Sequence, residues 1–95
     1  MPAYLIAEMD VTDAGAYEEY KKIAPAAIAM HGGRYIARGG ACETLEGAPM
    51  MNRMVLLQFD SMEQARTFYH SPEYSAAREK RQGAANARMV IVEGL

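Results

Sequence analysis

Ninety-five residues, 51% of them hydrophobic, suffice for one small core and exclude a disordered segment. A net charge of −2 argues against nucleic acid or an anionic membrane as partner, since both select for clustered positive charge. The single cysteine, Cys42, excludes an intrachain disulfide, and no apolar run approaches the roughly 20 residues that cross a bilayer.

Ala3 to Asp10 reads as a first strand, short and apolar with acids toward its end. Thr12 is placed to cap the helix that follows, with Asp13 near the positive end of its dipole. Tyr17, Tyr20, Ala24, Ala27 and Ile28 recur at helical spacing and form its apolar stripe. Pro25 removes one helical hydrogen bond and is expected to bend or loosen the helix, which ends at Gly32-Gly33. Arg34 to Cys42 reads as a second strand interrupted by Gly39-Gly40, where paired glycines suggest a bulge.

Glu43 to Asn52 is turn-like, and Arg53 to Asp60 is a third strand. Ser61 with Gln64 makes a capping box for a helix whose inner face is Ala65, Phe68 and Tyr69. Ser71-Pro72 opens a second helical segment, with serine as cap and proline at the first helical position. Arg88 to Glu93 is the last strand. The beginning of the chain lacks the basic region and long apolar run of a signal peptide, so the expectation is a cytoplasmic protein, in keeping with one free cysteine.

The order is βαββαβ over one domain, 1–95: an α+β, ferredoxin-like unit with a four-stranded antiparallel sheet and helices on one face. Such a sheet would ordinarily keep its other face polar. Here the third strand (Met54, Val55, Leu56, Leu57, Phe59) and the fourth (Met89, Val90, Ile91, Val92) are apolar at both parities, so both faces need cover. The helices supply one cover. A twofold partner, sheet against sheet in a homodimer, supplies the other.

Further residues carry a likeness to a known family: Tyr4 to Asp10, Val11-Thr12-Asp13, His31-Gly32-Gly33-Arg34-Tyr35, Arg38-Gly39-Gly40, Leu45-Glu46-Gly47, Ser71-Pro72-Glu73-Tyr74, Arg78, Arg81 and Val92-Glu93-Gly94. Together with Tyr17 and Tyr20 they span the chain, and the set resembles the domain-of-unknown-function 1330 family. The resemblance implies the dimeric α/β-barrel superfamily, in which two ferredoxin-like units pack their sheets into a shared barrel. That superfamily holds cofactor-free monooxygenases, lactone isomerases and, on larger versions of the fold, haem enzymes. Ala48-Pro49-Met50-Met51-Asn52 departs from the family's more basic loop, and its two methionines read as packing or as a mobile lip.

Polar residues inside strands are the candidates for chemistry, because a buried charge needs a partner or a wet cavity. Glu8, Arg38 and Gln58, if they share the barrel face, line a pocket for a small organic acid or carbonyl compound. In that reading Arg34 and Arg38 hold the anion, His31 or Glu8 moves the proton, Tyr20 donates a hydrogen bond, Gln58 completes the pocket, and no cofactor is required. The competing reading is a non-catalytic dimer whose charged strand residues, Glu93 among them, only specify the interface. His31 equally suits a helix cap, and the tyrosines equally suit the core. Arg78, Lys80, Arg81 and Arg88 read as a solvated face balanced by Glu73 and Glu79. The two histidines and one cysteine lack metal-ligand spacing, no nucleophile elbow appears, and haem is disfavoured by so short a chain.

Overall fold

The computed structural model describes every residue except Met51, so the lip reading of the 48–52 loop lies partly outside the described residues. β1 (Ala3–Val11) alternates strictly: Ala3, Leu5, Ala7 and Met9 are buried beneath the helices, while Tyr4, Ile6 and Glu8 point the other way. It lies between β3 (Arg53–Phe59) and β4 (Ala85–Glu93), and β2 (Arg34–Arg38) forms the far edge, giving the antiparallel order β2-β3-β1-β4. α1 (Ala14–Met30), α2 (Met62–Tyr69) and α3 (Pro72–Arg81) all bury their apolar residues against one face of that sheet. This is the ferredoxin-like α+β arrangement that the alternation of patterns predicts.

The local signals act largely as expected, with informative exceptions. Asp13, not Thr12, is the α1 cap: its Oδ1 accepts from the Ala16 amide at 3.1 Å, while the Thr12 and Asp13 amides both donate to the Ala84 carbonyl. α1 runs unbroken through Pro25, because Ala24, Ala27 and Ile28 are locked onto the core on either side of it. Its end is a Schellman motif: the Gly33 amide donates to the Ile28 carbonyl at 2.9 Å and the Gly32 amide to Ala29 at 3.1 Å, with Gly32 at φ 75°. Ser61 and Ser71 cap α2 and α3, accepting from the Gln64 and Tyr74 amides at 3.1 Å each. Gln64 reaches back to accept from the Asp60 amide at 2.8 Å, one residue beyond the box geometry.

β2 is shorter than its pattern. Gly39, at φ 69°, turns the chain away after closing the ladder through its amide to the Met54 carbonyl at 2.8 Å. β4 starts earlier than expected, because Ala85 to Ala87 pair with Val11 to Met9. The bulge lies within β2 rather than at Gly39-Gly40. Tyr35 pairs with Leu57 and Ala37 with Leu56, so Ile36 has no opposite number.

Away from the helices the sheet is open. Ala37, Leu56, Ile6 and Val90 stand opposite one another in a single apolar row across all four strands. Ile36, Val90 and Val92 are 47%, 43% and 48% exposed, the half-covered apolar face that the non-alternating strands imply. No described helix is long and apolar enough to cross a membrane.

Candidate functional site

The bulge at Ile36 decides which residues can meet. In a regular strand Arg34 and Arg38, four apart, would share a face. The unpaired Ile36 reverses parity, so Arg34 stands opposite Gln58 on the open face and Arg38 opposite Val55 on the helix side. The condition for a pocket lined by Glu8, Arg38 and Gln58, that all three share the barrel face, is therefore not met. Glu8 and Gln58 are on the open face; Arg38 is not.

On the helix side, Arg38 lies 4.3 Å above the Tyr35 ring and contributes to a cavity between α1 and the sheet. The cavity holds about 30 Å³, room for a water or two, and its polar walls are Tyr17, Tyr20, Tyr35, Tyr74, Arg53 and Lys21. The hydroxyls are chained. The Tyr20 and Tyr74 hydroxyls share a hydrogen bond at 2.8 Å, and the Tyr74 hydroxyl lies 3.8 Å from Met89 Sδ. Tyr17 donates to Met9 Sδ at 3.0 Å.

Burial pushes the Tyr20 hydroxyl far above the ordinary phenol range, and the neighbouring Tyr74 adds to it. Burial also raises Tyr17 and Tyr35, partly offset by the Arg53 and Arg38 charges respectively. These tyrosines are hydrogen-bonding walls, not bases, at neutral pH. Arg53 crosses near Tyr17, its Cζ 5.9 Å from the ring, with a buried Nε that has no acceptor among the described residues. Gly39 makes room for it: a Cβ at that position would collide with the Arg53 guanidinium.

The remaining candidates lie elsewhere. Arg34 donates to Gln58 Oε1 at 2.9 Å, and Arg88 donates to Glu8 Oε2 at 2.8 Å, both pairs on the open face and flanking its apolar row. His31 takes the C-cap position of α1 through its backbone, but its ring does not cap carbonyls. Its Nε2 lies 2.9 Å from Glu73 Oε1 in α3, and its ring meets Phe68 edge-on at 6.2 Å. The hydrogen bond from His31 holds the Glu73 carboxyl below the usual range, so a carboxylate accepts and Nε2 donates.

A group depressed in the folded state stabilises above its unfolded value and loses that contribution as pH falls through its folded one. Glu73→Gln is therefore expected to lower Tm at neutral pH. The gap to the unaltered protein should close below about pH 4 in a Tm series against pH, and a gap independent of pH would refute the pairing.

Of the residues singled out in the sequence, the structure brings Arg38 and Tyr20 to one cavity, whereas His31, Glu8, Arg34 and Gln58 do not line it. Sequence reasoning missed Arg53 and Arg81. Arg81, read as solvated, is only 9% exposed and lies over the Tyr20 ring with its Cζ at 5.6 Å. The signal was present: Tyr74, Ala77 and Arg81 recur at helical spacing along the buried stripe of α3. Among the described residues no three His, Cys, Asp or Glu side chains gather as a metal site would require.

A four-stranded antiparallel sheet covered on one face, with a tyrosine- and arginine-walled cavity beneath the cover, defines a ferredoxin-like protein of the α+β class. The family model described as "domain of unknown function (DUF1330)" matches residues 2–95, and the chain belongs to that family. No match is found among curated proteins. Among solved structures the chain is similar to a protein of unknown function from Rhodopseudomonas palustris, at 18% identity and TM-score 0.77, covering 99% of this chain and 82% of that one. It is also similar to SnoaB, a cofactor-independent oxygenase from Streptomyces nogalater, at 8% identity and TM-score 0.67, covering 99% and 93%. A dimeric ferredoxin-like protein of unknown function from Bacteroides fragilis aligns at 15% identity and TM-score 0.61, covering 98% and 96%. At these identities the likeness is one of fold.

Proposed function

We propose that this chain pairs through the open face of its sheet into a twofold homodimer, and that each subunit binds a small organic acid or enolisable carbonyl compound at the mouth of its tyrosine–arginine cavity. One observation carries the binding reading: Arg38 and Arg53 converge over tyrosine rings at a single cavity, and Arg53 keeps a buried donor without an acceptor among the described residues. The interior is too small for more than water, so the ligand sits where Arg38 and Lys21 reach solvent, or enters as those side chains swing aside.

The chemistry that fits is electrostatic. Two guanidinium groups beside a low-dielectric wall stabilise an enolate or carboxylate, and the proton lost from an enolisable ligand passes to water at the mouth. Among the described residues no imidazole or carboxylate lines the cavity to take it. The cofactor-independent oxygenase on the same fold supports a small-molecule role without a bound helper. The dimeric Bacteroides protein, together with the apolar row on this sheet, supports the twofold pairing.

In ligand-detected NMR against small carboxylates and 1,3-dicarbonyl compounds, a binder is expected whose affinity falls about tenfold, roughly 1.4 kcal/mol, in Arg38→Ala with Tm unchanged. Hits insensitive to Arg38→Ala, or no hit at all, would leave the second reading, a non-catalytic dimer. That reading is favoured by the Glu8–Arg88 and Arg34–Gln58 pairs, which border the apolar row as register markers would.

A further inference from the structure

A second concavity lies under the same helical layer, toward the β4 edge between α2, α3 and β4, with a volume of about 480 Å³. It meets the tyrosine cavity only at Leu5 and Met89, which line both. Its polar wall is Arg66, His70, Arg78, Arg81 and Gln82, and no acidic side chain is among its described lining residues. Its floor is the helix-facing side of β4, Met89 and Ile91.

Concentrated positive charge over an apolar floor is costly unless something negative answers it. The arginines are held rather than loose. Arg78 stacks 4.7 Å from the Tyr69 ring, and Arg81 is 9% exposed against Tyr20. That burial leaves the Arg81 Nε without a hydrogen-bond acceptor among the described residues. A buried donor lacking its acceptor is rare in folded proteins and calls for a partner. The fixed fork of a guanidinium matches a carboxylate in two parallel hydrogen bonds.

We propose that this groove binds an organic carboxylate carried on a flat apolar body, with the carboxylate held between Arg81 and Arg78 and the body laid on Met89 and Ile91. The volume suits a bicyclic aromatic acid, and Tyr69 offers a ring at the same wall. Arg66 and His70, both exposed, stand at the entrance, where the Arg66 charge steers the anion in.

The test titrates the isotopically labelled full chain with 2-naphthoate and, separately, with its neutral isostere 2-naphthamide. Naphthoate should shift the backbone amides of residues 78–82 and 87–91 saturably, and naphthamide should bind at least tenfold more weakly. Arg78→Ala should weaken naphthoate about tenfold and the exposed Arg66→Ala several-fold, with the fold of each variant checked by its amide spectrum. Arg66→Ala keeps the question answerable if changes at the partly buried Arg78 unfold the chain. Equal binding of the amide, shifts centred on Tyr17 to Lys21 and Arg38 instead, unchanged affinity in Arg66→Ala, or no saturable shift would each overturn the proposal. The location of the shifts also separates this groove from the tyrosine cavity.

Discussion

Phe68→Ala is expected to destabilise the fold by about 3–5 kcal/mol, the usual range for deleting a buried aromatic side chain. Phe68 is 1% exposed and is where the layers join: its ring lies 5.2 Å from Phe59 of the sheet, 4.6 Å from Tyr74 of α3 and 6.2 Å from His31 at the end of α1. Its two nearest aromatic neighbours are held out of the space. Phe59 is wedged beside Gly33, where even a Cβ would collide with its ring, and Tyr74 is tied through its hydroxyl to Tyr20 and Met89. Set against a total of about 5–15 kcal/mol for a typical domain, the loss should appear as a large drop in the urea midpoint with little change in slope. A loss under about 1 kcal/mol would mean the aromatic cluster packs far more loosely than its centroid distances imply.

Leu56→Lys is expected to abolish dimerisation while sparing the protomer. Leu56 lies in the apolar row with Ala37, Ile6 and Val90, and it is half-covered within one chain, so a lysine there can reach water in a monomer. In a twofold sheet-to-sheet interface both copies of that ammonium would be buried without a counter-charge. Uncompensated buried charge costs several kcal/mol, which corresponds to a weakening of at least about a hundredfold. Light scattering on size-exclusion fractions should show a dimer for the unaltered chain and a monomer of retained helical signal for the variant. A variant that stays dimeric would place the interface on another surface.

The fold was legible because strand and helix periods differ and the breaks are chemically marked. Ser61, Ser71-Pro72 and Gly32-Gly33 end or begin elements where serine, proline and glycine chemistry says they should. The candidate site was legible only in part, for reasons of register and distance. Nothing in five residues of β2 announces that Ile36 will go unpaired, so the face of Arg38 could not be read from spacing. The His31–Glu73 contact joins residues 42 apart, and the Tyr20–Tyr74 bond residues 54 apart, separations that only the packed helices close. Arg81 was hidden by its company: beside Arg78 and Lys80 it resembles a solvated charge, although its phase on α3 is that of Tyr74 and Ala77.

The unpaired Ile36 makes the register of β2 matter more than its composition. Were Ile36 to pair with Leu56, Ala37 would shift to Val55 and Arg38 to Met54, carrying the arginine from the cavity to the face we assign to the partner. Losing the bulged residue would have no such effect, because Arg38 would still stand opposite Val55. Relatives with the same arginines and the same spacing but no bulge would present a cationic rim to their partner and an unguarded cavity to a ligand.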